Sequence, residues 1–593
     1  RLWEVVEFFY EMVGVAVPSL GHNRLFTRKK MTAATNSSTV EASVHQETTD
    51  TVTPTASVIE PRPGVTPKII KSWQKWLTSE EHFYQKVGRR ARGPGARLST
   101  RVAISTLLDA LPRPRIYFAH QADTRGRLYP LGSILHPQGD DLNRALLEFA
   151  DPLPLTEAGI RPLAIYGSQQ IKDSTILDYF QIKDRIKPTL DERFEWITAH
   201  TEQIMRCAEA PLLETWWRGD DVPDAPLVSK PFTFLAFCFA WADYQKNGAE
   251  VACHLPVHVD GTCNGLQHIA ALTGNVALAE ATNVLPSEYP RDIYSEVADA
   301  VRENMLQPAI KKTSSKKTQQ KMVDWQLADE GAIEFLRQFG HLVDRALAKA
   351  VVMIIPYGAG QVHYQHNIYK KLSAKISPRK VSNRYRSNSY ADWIMALPNI
   401  KQWEPQPQWM KQVSEALSLN DDSSAETRKP FRKISPNRLR IWTINRWLRE
   451  VCAYHLAYHF NQVVRDKYPT IHDFKRLLTN TIKPIVEEAN IPMMWASPSG
   501  MPVLQQGFKN DKRLQEVEAD AVNAIRFRIR QITDDVSIVK QLSGILPNFI
   551  HSLDAAHLVK TINRAREREI TSVSTVHDSY ATHACHVEIL GEC

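Results

Sequence analysis

Two aspartates in unlike settings carry the chemistry legible in this 593-residue chain. Asp260 ends the apolar run His254-Leu-Pro-Val-His-Val259 and opens Asp260-Gly-Thr-Cys-Asn-Gly-Leu-Gln-His268. Asp578 sits at the centre of Val573-Ser-Thr-Val-His-Asp-Ser-Tyr580. Each reads as a carboxylate at the tip of a strand, and only a fold can bring them together. Two such carboxylates can hold two divalent cations and stabilise both oxygens of an in-line phosphoryl displacement. An isolated Asp-Gly is usually a turn, but Asn264, Gln267 and His268 beside an apolar strand would leave many polar groups to satisfy if the loop were mere core. Between the aspartates, Arg345, Lys349, Met353 and Tyr357 recur every four residues and predict one helical face. Arg345 and Lys349 suit a triphosphate, and Lys349 also suits protonation of a leaving pyrophosphate. A solvated basic face would show the same pair. Metal-binding acids together with a phosphate-binding helix point to nucleotidyl transfer.

The elements around these residues have their own signals. Pro356 removes an N–H and predicts that the Arg345 helix kinks or ends nearby, leaving Tyr357 at a hinge. Asn548, His551, Asp554 and His557 lie three or four apart and can share a helical face, where hydrogen bonding is a better reading than metal ligation by the histidines. Val573–Thr582 predicts a hairpin with His577-Asp578-Ser579 at its tip. Leu285-Pro-Ser-Glu predicts a helix start capped by Ser287, with Ile293, Val297 and Val301 as its apolar stripe. Arg115–Ala119 predicts a strand leading into Asp123-Thr-Arg-Gly-Arg-Leu-Tyr129. Residues 155–245 read as mostly helical, with the aromatic run Phe232–Tyr244 as core, and Trp442–Tyr468 reads as helix. Trp495–Val503 reads as two short strands around a Pro-Ser-Gly turn. Ile525-Arg-Phe-Arg-Ile-Arg530 alternates apolar and basic residues, as a strand with one cationic, nucleic-acid-facing side would.

Composition bounds the rest. Residues 31–66, rich in Thr, Ser, Val and Pro, read as a disordered tail. The basic loop Gly88–Gly95 suits phosphate contact and a plain surface turn equally. Lys311–Lys321 reads as a solvated loop, and 373–440 as inserted surface structure. A net charge of +8, from 73 basic against 65 acidic residues, permits a polyanionic partner without demanding one. No continuous apolar run is long enough to predict a membrane span. Seven cysteines without a Cys-x-x-Cys argue against a disulfide framework and fit a reducing compartment rather than secretion. Residues 1–30 resemble neither a signal nor a transit peptide, and Met31 offers an alternative start.

With these residues in hand, the chain from about Arg115 onward resembles the bacteriophage-type single-subunit DNA-directed RNA polymerases, which also serve mitochondria and chloroplasts. Asp260–His268 resembles their motif A, Arg345–Gly358 motif B, and His577-Asp578-Ser579 motif C. Asp123-x-x-Gly126-Arg127, Pro137-Gln-Gly139 and Pro547-Asn-Phe-Ile-His551-Ser resemble the elements flanking them. The resemblance implies an α+β, mainly helical right-hand polymerase fold with palm, fingers and a partial thumb. The expected division is a tail over 1–66, a thumb-like stretch over 67–113, palm over 114–275, fingers over 276–551 and palm again over 552–593. It implies two Mg²⁺ ions on Asp260, the Gly261 carbonyl and Asp578, and catalysis by Asp260, Lys349 and Asp578. It further implies a triphosphate grip by Arg345, Lys349 and, by a loose alignment, Lys187. Tyr357 and His551 would sense the ribose 2′-hydroxyl, Arg125 and Arg127 would contact template or hybrid backbone, and Trp495–Arg530 would hold the promoter-specificity loop.

The implied partners are a DNA template, an RNA product and ribonucleoside triphosphates, handled by a monomer without a membrane. Pro356 departs from many relatives at the fingers hinge. The family's N-terminal promoter- and RNA-binding domain is largely unmatched, and Cys593 follows soon after Asp578, so the chain reads as shortened at both ends. Two alternatives stand beside the RNA polymerase reading. One is a polymerase I-type DNA polymerase, against which the lack of a bulky Glu after Asp260 counts. The other is a non-catalytic nucleic-acid-binding remnant.

Overall fold

The computed structural model describes residues 115–131, 135–214, 216–218, 228–309, 318–376, 379–381, 384–386, 388–398, 400–404, 436–520 and 523–593. The expected tail over 1–66, the thumb-like stretch with its Gly88–Gly95 loop, most of Lys311–Lys321 and residues 405–435 lie outside the described residues. Helices dominate what is described, and the strands are short apart from one ribbon, so the chain is α+β and mainly helical.

A three-stranded antiparallel sheet positions the aspartates. Ser579–Thr582 lies at its centre, between Ser574–Val576, its hairpin partner, and Val257–Asp260. Val257 belongs to a buried cluster with Leu163, Phe234, Phe237 and Trp241, while Tyr580 packs with Leu558, Ala565, Ile570 and Leu590. The sheet is thus wedged between two apolar bodies. The aromatic run lies in the helix Pro231–Asn247 and is core, as expected.

The largest cluster joins the helices Asn264–Thr273, Ile293–Asn304, Arg345–Val352, Gln361–Ile376 and Ala453–Lys467. Ile293, Val297 and Val301 are fully buried in it, each worth about 1.5–3 kcal/mol relative to exposure. Their helix starts later than expected: its N-cap is Asp292, whose side chain accepts from Ser295 N, rather than Ser287. Pro290 disfavours helical backbone at Tyr289, which accounts for the delay. The helix Arg345–Val352, capped by Asp344, stops at Val352, so Met353 and Tyr357 follow in turns instead of continuing the helical face. Continuing it would need the Pro356 N–H to reach the Val352 carbonyl, and proline has no N–H.

Residues 115–119 are not a strand; pairing begins at His120–Ala122, against Leu128–Pro130. The stretch 373–440 is more regular than expected, with paired strands Arg379–Val381 and Arg384–Arg386 and a helix Ser389–Met395 that buries Ala391 and Ile394. Trp442–Tyr468 is helical and widens to a π-helical turn over Leu448–Cys452. Met494–Ala496 pairs with Pro502–Leu504 around the expected turn. Phe508–Asp520 and Asn523–Val536 form a long antiparallel ribbon whose register sets Lys512 opposite Arg530 and Glu516 opposite Arg526. Asn548, His551, Asp554 and His557 all lie in one long helix, Ile538–Glu567.

Candidate active site

The register of the sheet decides the geometry. Ser579 pairs with Asp260, so Asp578, one residue earlier at the two-residue hairpin tip, stands beside Asp260. His577 turns the tip with φ +55°. A Cβ at Gly261 would sit 2.9 Å from Gln267 Oε1 and 3.8 Å from Asp578 Oδ2, so this loop runs close beside Asp578. Burial pushes the Asp578 carboxyl up to about 6, with the charges of Asp260 and Asp554 adding to it. Burial also raises Asp260, opposed by the Gly261 N–H and by Lys230, Lys349 and Arg144. Two adjacent carboxylates repelling one another, Asp578 half-buried and Asp260 more open to solvent, are relieved by a cation. Among the described residues no cluster of three or more His, Cys, Asp or Glu forms a metal cage. Two carboxylates, a backbone carbonyl and substrate oxygens suit Mg²⁺, which keeps several waters and takes few protein ligands. His551 and His557 are engaged elsewhere, His557 Nδ1 with the Tyr580 hydroxyl at 2.9 Å.

The cationic arm converges on one acid and one ring. Arg345 donates through Nε and Nη2 to the two oxygens of Asp292, at 2.8 and 2.9 Å. Lys187 Nζ lies 3.7 Å from the same carboxylate, so the fold brings Lys187 to Arg345 despite their distance in sequence. Burial works to raise Asp292, but hydrogen bonds from Arg345 and Ser295 and the charges of Arg345 and Lys187 prevail and hold it below the usual range. Burial lowers Lys187, with Asp292 opposing. Arg345 and Lys349 both lie over the ring of Tyr294, 5.3 and 5.4 Å from its centroid, a cation–π arrangement that orients both heads.

At the third corner, the rings of Tyr357 and His551 are 4.4 Å apart, so these two expected site residues do meet. Burial keeps the Tyr357 hydroxyl protonated, pushing it up to about 12. The upstream arginines both have protein partners. Arg125 binds Asp123 and His551, and Arg127 donates to Asp554. Asp554, buried, also accepts from Asn264 and thereby ties the start of the Asn264–Thr273 helix to the long helix. Gly265, next along, has no room for a side chain, since a Cβ would meet Pro356 Cγ at 2.7 Å.

Asp123, Asp292, Tyr294 and Asp554 shape this site; sequence reasoning put Asp123 in a flanking element and Asp554 on a hydrogen-bonding helical face without naming their partners, and missed Asp292 and Tyr294. Asp554 carried a usable signal, its three-residue spacing from His551. Asp292 carried one too, since Asp followed three residues later by Ser295 and then Glu296 resembles helix-start chemistry.

The family model for DNA-dependent RNA polymerase matches residues 183–593. The chain is 28% identical to the T7 RNA polymerase of Escherichia phage T7 over 510 residues, covering 82% of this chain and 48% of that protein. It is 29% identical to the mitochondrial DNA-directed RNA polymerase of Schizosaccharomyces pombe over 478 residues, 80% of this chain and 33% of that one. It is 26% identical to the chloroplastic DNA-directed RNA polymerase 3 of Nicotiana sylvestris over 522 residues, 88% and 42% respectively. The chain therefore spans less than half the length of these curated relatives. With the family model matching more than half of its residues, motif A through motif C included, the chain belongs to the DNA-dependent RNA polymerase family, in the single-subunit form found in phages, mitochondria and chloroplasts.

Proposed function

We propose that the chain is the catalytic region of a DNA-directed RNA polymerase, extending an RNA 3′ end on a DNA template with ribonucleoside triphosphates. The reading includes action as a monomer and the palm and fingers boundaries at 275/276 and 551/552. The observation that carries it is the strand register that stands Asp578 beside Asp260, where the charges of Lys230 and Lys349 act. In the reaction the RNA 3′-hydroxyl gives up its proton to water, its oxygen bonds to the α-phosphorus, the bond from that phosphorus to the α–β bridging oxygen breaks, and pyrophosphate leaves. Asp260, Asp578 and the Gly261 carbonyl would hold two Mg²⁺ ions, which when bound supply the charge that lowers the 3′-hydroxyl pKa and neutralises the triphosphate.

The side chains divide the remaining work. Arg345 and Lys187, held on Asp292, meet the triphosphate oxygens as prearranged cations, so little reorganisation is needed at the moment of reaction. Lys349, the nearest ammonium on the same helix, delivers a proton to the departing pyrophosphate. Tyr357 and His551 close the pocket over the sugar. Arg127 keeps Asp554 and Asn264 in place beneath it.

The test is primer extension on a preassembled RNA–DNA scaffold, which removes any need for promoter binding. Templated extension with ribonucleotides, weak with deoxyribonucleotides, is expected. Equal use of both sugars, or no extension by protein that binds the scaffold, would overturn the reading.

A further inference from the structure

A guanidinium donates hydrogen bonds and never accepts them. Arg125 Nη1 lies 2.6 Å from His551 Nδ1, so Nδ1 is the acceptor and the ring's proton belongs on Nε2. Arg125 is itself anchored. Its backbone N–H and its Nε each donate to the Asp123 carboxylate at 2.9 Å, and that carboxylate also accepts from Arg127 N at 3.1 Å. The loop carrying them is closed by hydrogen bonds from Gly126 N to the Asp123 carbonyl at 2.9 Å and from Asp123 N to the Arg127 carbonyl at 3.0 Å. Gly126 there takes φ +89°, a conformation that favours glycine. The imidazole also stays neutral, since burial, then the charges of Arg127 and Arg125, depress it to about 3. Among the described residues no protein acceptor takes the Nε2–H. Tyr357 stands across the ring at 4.4 Å.

We propose that Arg125 is a sugar-selectivity positioning residue: by fixing His551 as the Nε2–H tautomer it presents a single, oriented donor to the ribose 2′-hydroxyl oxygen. The inference rests on the ribonucleotide-polymerising reading above. It gives Arg125 a role inside the nucleotide site, acting through His551, in place of a contact to template or hybrid backbone. A deoxyribose offers this donor nothing and leaves it without an acceptor. Without Arg125, the ring is free to carry its proton on Nδ1 or to turn, and the distinction between the sugars weakens.

The test measures kcat/KM for matched ribo- and deoxyribonucleotides on the scaffold, for wild type, Arg125→Met, Arg125→Lys, His551→Ala and the Arg125→Met/His551→Ala double variant. Arg125→Met is expected to lower the ribo/deoxy ratio by about 2- to 12-fold, the worth of one hydrogen bond. Arg125→Lys, which keeps one donor, should fall between. The double variant should match His551→Ala, because Arg125 acts only through that ring. A ratio unchanged in Arg125→Met, with both sugars slowed alike, would reduce Arg125 to a structural or backbone-binding residue and overturn the proposal. A double variant more relaxed than His551→Ala would do the same.

Nitrogen-15 spectra of histidine-labelled wild type, assigned against His551→Ala, read the tautomer without any substitution at Arg125. An unprotonated Nδ1 is expected, and a protonated one overturns the proposal. A wild type that shows no ribonucleotide preference would instead sink the polymerase reading, while these spectra would still score the tautomer.

Discussion

Replacing Asp578 by Asn should stabilise the metal-free protein while destroying the site. The Asp578 carboxyl is pushed from 3.8 up to about 6 by burial and by Asp260 and Asp554. A raised acid pKa favours the folded state while the group is protonated. That contribution is fully present below pH 3.8 and is lost as pH rises through about 6. Above pH 7 the ionised wild-type group therefore opposes folding. A shift of this size corresponds to about 3 kcal/mol as an upper bound, and partial solvent access brings the expectation to about 1–3 kcal/mol. Asn keeps the shape and carries no charge. In EDTA at pH 8, Asp578→Asn should raise the melting midpoint by roughly 2–12 °C for a cooperative unit of 150–250 residues. The gain should shrink at pH 4.5, where only about a third of the penalty has built up. Added Mg²⁺ should stabilise wild type more than the variant. A midpoint that is unchanged or lower at pH 8, or a gain equal at both pH values, would refute the reasoning.

Other expectations follow from the same geometry. Asp292→Asn removes the charge that holds Arg345 and Lys187, so KM for the nucleotide should rise about 5- to 20-fold with scaffold affinity unchanged; steady-state extension against separate scaffold titration checks both. Gly265→Ala should drive a methyl group into Pro356 and destabilise by about 1–3 kcal/mol, and adding Pro356→Gly, which removes both the Cγ at 2.7 Å and the Cβ at 2.8 Å, should restore part of the loss in urea unfolding. Because a proton and a cation compete for Asp578, extension should demand more Mg²⁺ below about pH 6, and raising Mg²⁺ should recover the lost rate. A Mg²⁺ requirement identical at pH 5.5 and 7.5 would count against that competition.

Much of the site was legible because its signals are local. The apolar run before Asp260 and the alternation around Asp578 mark strand ends, and the sheet joins them. The four-residue spacing of Arg345 and Lys349 marks a helical face, and both do lie on one helix. The stripe Ile293, Val297, Val301 marked a buried face and is one. The failures have a common physical source. Prolines overrode periodicity twice: the missing N–H of Pro356, which did signal the helix end before Tyr357, and the steric limit of Pro290 on Tyr289, which delayed the Ile293 helix. Asp292 and Asp554 matter through partners far away in sequence, Arg345 and Lys187 for one, Arg127 and Asn264 for the other. No local pattern encodes such a pairing. Arg125 and Arg127 looked like free cations for a nucleic-acid backbone, yet each is held by an acid.

The central claim is that Asp260 and Asp578 form one centre, and single-turnover extension by Asp260→Asn and Asp578→Asn tests it most directly. Both variants should bind the scaffold as wild type does and lose extension by at least about a thousandfold, because each removes half of the cation's support. Wild-type extension by either variant would contradict the account.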